Sequence, residues 1–147
     1  MDYSYIGSKA ARRTYPAPGI TYNAEYDNLG RLVTADSGEA YAKFEYTYEP
    51  GTNNIKDQVF AHRSSSAANI FGYDGLDRLQ TADYVDAGPN ADEVYTLDDL
   101  GSRDLLTRGG TDYDYTVDNI TNRYEAVPGQ NAAPAHDKAG NTTTDYR

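Results

Sequence analysis

Polar and apolar positions alternate over short stretches of this chain, and many of the apolar positions are tyrosines. Tyr46 and Tyr48 are two residues apart, as are Tyr113 and Tyr115. Successive side chains of a strand point to opposite faces of a sheet, so this period of two predicts strands with a tyrosine-bearing face. The longest helix candidate, residues 87–100, contains Gly88-Pro89-Asn90 and is predicted to be a loop that leads into a strand.

A short acidic turn follows these strands and recurs along the chain. In Tyr26-Asp27-Asn28-Leu29-Gly30-Arg31-Leu32, Asp and Gly occupy the positions preferred in a type I turn followed by a residue at positive φ. Such a turn closes a hairpin with a G1 bulge. The leading acids are Asp27, Glu49, Asp74, Asp98, Asp118 and Asp137, at intervals of 22, 25, 24, 20 and 19 residues. This period predicts stacked hairpin repeats.

Three copies of the turn depart from this pattern. Asp77 stands in place of the glycine in one copy, and an aspartate tolerates the left-handed region. Thr121 does not tolerate it because its side chain is β-branched, so we expect Asn122 to take that conformation in a turn shifted by one residue. Pro50 and Gly51 predict a type II turn in the most divergent copy. Second strands are expected at residues 32–34, 55–60, 79–84 and 105–107.

The composition predicts a core with few aliphatic side chains and many tyrosines. Leu, Ile, Val and Phe supply only 22 of 147 residues, and the net charge is −10, a profile close to that of disordered chains. The chain also has 15 tyrosines. Each tyrosine ring can bury about 150 Å² while its hydroxyl stays hydrated. We therefore expect a folded, all-β protein with a tyrosine-rich packing layer.

The cassettes resemble a known family of repeats. Tyr-Asp-x-x-Gly-Arg-Leu at 26–32 and its copy at 73–79 alternate with Gly-Ser-Arg at 101–103 and Asn-Arg at 122–123. This alternation is similar to the Rhs or tyrosine-aspartate (YD) repeats of bacterial polymorphic toxins, Tc toxin shells and teneurins. The resemblance implies repeated antiparallel β-hairpins that wind into an open, solenoid-like spiral sheet. The motif residues are Tyr26, Asp27, Gly30, Arg31, Tyr73, Asp74, Asp77, Arg78, Asp98, Gly101, Arg103, Asp118, Asn122, Arg123, Asp137 and Gly140.

On this basis we interpret residues 1–147 as a single array of about six YD-type hairpins that belongs to a longer array or assembly. Tyr3-Ser4-Tyr5 has a strand pattern, and Thr144-Asp145-Tyr146-Arg147 resembles the opening of another hairpin. Because an unpaired strand edge is a template for another strand, we expect end-to-end or edge-strand association with a second copy, or with flanking repeats. The resemblance also implies an extracellular or cell-surface location.

Charge and hydropathy exclude other partners. The excess of acids argues against nucleic acid, and the cluster of Lys9, Arg12 and Arg13 is interpreted as an exposed strand edge. No apolar stretch approaches membrane-spanning length, and the N-terminus has no signal-peptide pattern. Cysteine is absent, which excludes disulfides and thiolate metal sites.

The sequence predicts no catalytic, cofactor or metal site. His136 precedes Asp137 in the aromatic slot of a cassette and is interpreted as a stacking substitute for tyrosine, whereas His62 is interpreted as an exposed strand end. Ser64-Ser65-Ser66 has no His and acid partners in a recognisable arrangement and is interpreted as a polar loop. Residues 109–114 match half of a calcium nonapeptide repeat but occur once, whereas such sites need stacked copies.

Two classes of function follow. The first is a non-catalytic structural protein, a segment of a shell, stalk or fibre. The second is a carbohydrate-binding module in which exposed tyrosines stack on sugar rings and turn aspartates bind sugar hydroxyls, so that glycans are the partners. We favour the first because packing already explains a tyrosine in every repeat.

Overall fold

The computed structural model describes residues 2–16, 19–38, 41–63, 68–85, 92–130 and 132–144. All regular structure in these residues is β-strand. The strands are β1 (Asp2–Ile6), β2 (Lys9–Thr14), β3 (Thr21–Tyr26), β4 (Leu32–Asp36), β5 (Lys43–Tyr48), β6 (Ile55–Phe60), β7 (Ala68–Tyr73), β8 (Leu79–Asp83), β9 (Glu93–Leu97), β10 (Arg103–Arg108), β11 (Thr111–Asp114), β12 (Thr116–Asp118), β13 (Arg123–Ala126), β14 (Ala135–His136) and β15 (Thr142–Thr144). The predicted all-β class is confirmed.

The chain divides into two compact units. The first comprises Met1–Gly72 and Tyr84–Asp86. In it, each strand from β1 to β7 pairs antiparallel with the next strand in sequence, as expected for a chain of hairpins. The registers slip by one residue where a bulge interrupts the pairing, for example between Glu25 and Tyr26 on β3. A bulge beside a turn adds local twist to the hairpin.

The second unit comprises Tyr73–Asp83 and Ala87–Arg147. Here β8 pairs with β9, β9 with β10 and β10 with β11, all antiparallel. Two further hairpins, β12–β13 and β14–β15, are separate two-stranded pairs. The Gly109-Gly110 pair forms the turn between β10 and β11, with φ of +56° and +76°, so this half-match to a calcium repeat serves as a hairpin turn.

Alanines are among the most buried residues of both units. Ala24 and Ala35 lie opposite each other on β3 and β4 in the first unit, and Ala82 and Leu106 are buried in the second. Within the described residues, no large side chain is fully buried. The tyrosines on either side of these alanines are mostly half-buried. The buried core of the described residues is therefore small, and half-buried tyrosines flank it.

The predicted second strands are confirmed in β4, β6, β8 and β10, and the structure extends β4 to Asp36. The strand expected within residues 87–100, after the loop, is confirmed in β9. Gly88-Pro89-Asn90, Ser64-Ser65-Ser66 and residues 145–147 lie outside the described residues.

Two interpretations of basic and aromatic residues are wrong. Strand β2, which carries Lys9, Arg12 and Arg13, is not an edge, because it pairs with both β1 and β3. His62 is not an exposed strand end. It is half-buried and packs edge-on against Phe44 and Phe60, at ring separations of 5.2 and 6.2 Å. The imidazole ring is half-buried because it packs against the aromatic rings of β5 and β6.

Candidate functional site

The recurring turn is held by one carboxylate oxygen of its leading aspartate. Oδ1 of Asp27 accepts hydrogen bonds from the backbone N–H groups of Leu29 at 2.9 Å and Arg31 at 2.8 Å. The backbone closes the same turn, because the N–H of Gly30 donates to the Asp27 carbonyl at 2.8 Å. This is the side-chain mimic of a backbone turn that aspartate favours. The same Oδ1 contacts recur at Asp74, Asp98 and Asp137. At Asp118 the donors are the N–H groups of Ile120 and Thr121, two and three residues on.

The fourth residue of the turn has a left-handed backbone. Gly30, Gly101 and Gly140 have φ of +74°, +89° and +91°. Asp77 replaces glycine with φ of +62°, and Asn122 rather than Thr121 takes the positive φ, +54°. The Asn122 N–H donates to the carbonyl of Asp118, four residues back, so this turn is one residue longer. Both predictions about these substituted turns are confirmed.

A second side chain then fixes the other carboxylate oxygen. Arg31 Nε donates to Asp27 Oδ2 at 2.7 Å, and Arg78 Nε donates to Asp74 Oδ2 at 2.6 Å. In the last copy, Asn141 Nδ2 donates to Asp137 Oδ2 at 3.0 Å. The two arginine pairs are charge-assisted hydrogen bonds, which are shorter and stronger than neutral ones.

Several turns also contact the next one along the chain. Arg78 Nη1 donates to the carbonyl of Asp98 at 2.7 Å, and Arg31 Nη1 donates to the carbonyl of Thr52. Ser102 Oγ lies 2.8 Å from Asn122 Oδ1, and Lys9 Nζ donates to the carbonyl of Gly30. These four contacts join residues 20 or 21 positions apart, and we call them the turn ladder. At the last turn, Arg123 Nη2 lies 3.2 Å from where a Cβ of Gly140 would be.

Tyrosines reinforce the ladder beside the turns. Tyr26 donates from its hydroxyl to the carbonyl of Ala10 at 3.1 Å, and Tyr48 donates to the carbonyl of Leu32 at 2.6 Å. The guanidinium of Arg31 lies over the Tyr48 ring, 4.3 Å from its centroid, a cation–π contact. In the second unit, the Tyr124 hydroxyl accepts from the Arg103 N–H at 2.8 Å.

The sequence reasoning missed Lys9, Tyr48 and Tyr124 as parts of this arrangement. The signal that could have found them is the spacing. The tyrosine lies 17 residues after the basic residue in both Lys9–Tyr26 and Arg31–Tyr48, and the carbonyl that the base binds lies 21 residues after it. Among the predicted motif residues, Tyr73 ends β7 and is half-buried.

Hydrogen bonds in the turns lower the pKa of four leading aspartates. The backbone N–H of Arg31 is the largest cause for Asp27 and that of Arg78 for Asp74, with the arginine side chains adding to both. The backbone N–H of Thr121 lowers the pKa of Asp118, and the side chain of Asn141 lowers that of Asp137. Each donor favours the charged carboxylate.

The most buried acid lies away from the turns. Glu93 on β9 accepts from Arg108 Nε at 2.6 Å and from the Tyr95 hydroxyl. Burial opposes ionisation and is the largest influence on its pKa, but the bonds from Tyr95 and Arg108 outweigh burial and lower the pKa. Both carboxylate oxygens are therefore occupied by a network that joins β9 to β10.

The described residues contain no group of three or more His, Asp or Glu side chains that could hold a metal ion. In the same part of the chain, no helix has the length and apolar character needed to cross a bilayer. No protein-family model matches this chain, and no curated protein is significantly similar to it.

Proposed function

We propose that this chain is a non-catalytic structural repeat protein that forms a segment of an extracellular or cell-surface shell, stalk or fibre. In this proposal its hairpins continue the open spiral of Rhs or YD repeats, as one array of about six units within a longer array or assembly. The partners are a second copy of the chain or flanking repeats. The resemblance of the cassettes to that family supports the location.

The turn ladder is the observation that carries the proposal. A repeat protein gains stability when each unit contacts its neighbour, so its contacts recur at the repeat period. Here Arg78 binds Asp74 in its own turn and the carbonyl of Asp98 in the next turn. The same double use of one guanidinium is seen for Arg31. A side chain that binds within its repeat and to the next repeat is the element from which an extended array is built.

Exposed apolar side chains support association with other molecules. All five residues of β1 are exposed, including Tyr5 and Ile6, and among the described strands β1 pairs only with β2. The residue two positions after the leading aspartate is also apolar and strongly exposed in four turns. These residues are Leu29, Leu76, Leu100 and Ile120. The turn needs only their backbone N–H groups, so their apolar side chains are available for contacts with a second copy.

The carbohydrate alternative depends on free turn aspartates, and the structure does not favour that use. Oδ1 of Asp27 accepts two backbone N–H groups and Oδ2 accepts from Arg31. Asp74 and Asp137 have their two oxygens occupied in the same way. A sugar hydroxyl would have to compete with these bonds for the one lone pair left on Oδ2. The carboxylates of these three turns are therefore assigned to the fold.

Sedimentation velocity and electron microscopy of the purified chain over a range of concentrations test the structural proposal. We expect concentration-dependent association and elongated particles. Tyr5→Ser and Ile6→Ser together should weaken this association because they remove apolar area from β1. The control is Val85→Ser, which removes an exposed side chain outside β1 and should leave the association unchanged. A dispersed monomer in which the β1 amides resist hydrogen exchange would contradict the proposal. Turnover of an ester, peptide, phosphate or glycoside, lost on substituting a single acid, would contradict its non-catalytic part.

A further inference from the structure

Arg103 is used differently from the arginines of the turn ladder. Ser102 occupies the turn position that arginine has in the cassettes at 27–32 and 74–79, so Arg103 comes one residue later, on β10. Within the described residues its guanidinium forms no ion pair with a carboxylate. It lies between the rings of Tyr95 and Tyr115, 4.8 and 5.3 Å from their centroids, and Nη1 binds the Tyr115 hydroxyl at 3.2 Å.

The first unit repeats this arrangement at Arg13. Its guanidinium lies 5.2 Å from the ring centroid of Tyr3 and 5.9 Å from that of Tyr15, and Nη1 donates to the Tyr15 hydroxyl at 2.9 Å. Nε of both Arg13 and Arg103 is buried and has no hydrogen-bond partner in the described structure. Two arginines from different repeats therefore each lie beside two tyrosine rings, and each has an Nε–H group without an acceptor among the described residues.

Arg103 and Arg13 each line an open cleft. The cleft at Arg103 has a volume of about 350 Å³, and its wall includes Tyr115, Tyr124 and His136. The cleft at Arg13 has a volume of about 390 Å³, and its wall includes Tyr15, Tyr22 and Tyr26. We call these the two arginine–tyrosine clefts. Their volumes suit a single small ligand, which buries a flat apolar face against aromatic side chains and is oriented by a few polar groups.

The chemistry of the clefts selects an anion with a ring. Because the tyrosine hydroxyl occupies Nη1, the edge formed by Nε and Nη2 is left, and this edge binds a carboxylate through two parallel hydrogen bonds. Glu93, whose pKa the charge of Arg103 helps to lower, does not take this place because Arg108 and Tyr95 already bind it. Tyrosine faces accept the apolar face of a sugar ring, and their hydroxyls can bond to sugar hydroxyls.

We propose that each arginine–tyrosine cleft binds a hexuronate, a sugar acid, with its carboxylate on the Nε and Nη2 edge of Arg103 or Arg13 and its ring against a tyrosine. Nε is closed to solvent in both arginines, so this binding mode requires a neighbouring tyrosine ring to turn aside. The site goes beyond the proposed structural role, because it adds a ligand to an array whose turn carboxylates are already engaged. The net charge of −10 repels anions at long range, so the arginine supplies the attraction locally.

Titration with glucuronate, followed by two-dimensional NMR of the full chain, tests the proposal. We expect shifts of Tyr115 and Tyr124 signals that are lost in Arg103→Gln, and shifts of Tyr15 and Tyr22 signals that are lost in Arg13→Gln. Arg103→Lys keeps the charge but has no fork, so its affinity should be at least about tenfold lower. The matched control is Arg12→Gln, an exposed neighbour with the same change of charge, which should bind as the parent does.

Three probes separate the parts of the ligand. Glucose has the ring without the carboxylate, acetate has the carboxylate without the ring, and benzoate has a carboxylate on a flat ring without hydroxyls. We expect each to bind more weakly than glucuronate. An absence of shifts up to about 10 mM glucuronate, an affinity unchanged in Arg103→Gln and Arg13→Gln, or equal binding of any of the three probes would overturn the proposal. Circular dichroism of each variant confirms that it folds as the parent does.

Discussion

Arg78 Nη1 donates a 2.7 Å hydrogen bond to the backbone carbonyl of Asp98, the first residue of the next turn, while Nε of the same side chain binds Asp74 Oδ2 at 2.6 Å. One planar guanidinium thus serves two turns that are separated by 20 residues. An ammonium group has a single nitrogen on a flexible stem and cannot present two donors at the fixed spacing of the guanidinium fork. At this position, arginine therefore makes both contacts with one side chain, whereas Lys9 makes only the contact to the next turn.

The first prediction is that Arg78→Lys destabilises the protein although it keeps the charge. The Arg78 and Asp74 side chains are 28% and 20% exposed, so solvent screens the pair, and we expect a loss of roughly 1 kcal/mol, mainly from the hydrogen bond to Asp98. Urea unfolding measures this loss. A double-mutant cycle with Asp74→Asn should give a small favourable coupling between the two side chains. Arg12→Lys, on an exposed side chain outside the ladder, is the control. Equal effects at both positions would contradict the role of the fork.

The turns could be predicted from the sequence because their chemistry is local. Asp27 and Gly30 belong to one short turn, and the shift of the positive φ to Asn122 follows from the stereochemistry of a β-branched residue. The ladder could not be predicted in this way. The carbonyl that Arg31 binds, at Thr52, lies one repeat away, and the sequence does not state how neighbouring hairpins are staggered. Long-range register depends on bulges, and their positions are set by packing.

The same limit explains the errors. Lys9, Arg12 and Arg13 have the composition of a protected edge, but the strand that carries them pairs on both sides because another strand, β1, precedes it. The charged neighbour Arg63 favours an exposed position for His62, whereas Phe44 from another strand packs against its ring. Cross-strand neighbours, which are distant in sequence, decide the burial of such residues.

The second prediction concerns Gly101, which has φ of +89°. Gly101→Val should cost about 1–3 kcal/mol through backbone strain, and Gly101→Asn should be much milder because asparagine tolerates this conformation. A Cβ at this position would meet Arg78 Nη1 at 3.8 Å, an ordinary contact, so the strain is not confounded by a clash. Gly75, in the preceding turn, has no positive φ and no atom within 4 Å of a new Cβ, and Gly75→Val is the matched control. In chemical denaturation, Gly101→Val should therefore lose much more stability than Gly101→Asn or Gly75→Val.

The third prediction separates hydrogen bonding from packing in the tyrosine layer. Tyr48→Phe removes the 2.6 Å bond from the hydroxyl to the carbonyl of Leu32 and leaves the ring under Arg31 in place. The expected loss is about 0.5–1.5 kcal/mol. Tyr46, two residues earlier on β5, is also half-buried, and Tyr46→Phe should change the stability by less. If both substitutions had the same effect in urea unfolding, the ring alone would account for the stabilisation.

The fourth prediction is a loss of stability in acid that depends on the turn aspartates. Their pKa values are lowered in the folded protein, so the unfolded chain binds more protons in the interval below the ordinary value of 3.8. The stabilisation that these aspartates provide is fully present above their ordinary pKa of 3.8. It is lost as the pH falls through their lower pKa in the folded protein. Asp83 acts in the opposite sense, because its hydrogen bond with Asp92 raises its pKa. The lowered pKa values outnumber this one, and they belong to Glu93 and to four turn aspartates, Asp27, Asp74, Asp118 and Asp137.

Asp74→Asn tests the source of this acid sensitivity. Asparagine keeps an oxygen that can accept from the N–H groups of Leu76 and Arg78, but it has no proton to gain between about pH 5 and pH 2, so its share of the slope should vanish. Asp99→Asn makes the same change of charge at an exposed neighbour of Leu100 and should keep the slope of the parent. Urea unfolding free energies measured across this pH range compare the three proteins. The contrary outcome is that Asp74→Asn loses stability in acid as steeply as the parent and the Asp99→Asn control. In that case the hydrogen bonds to Asp74 would not be the cause of the acid sensitivity.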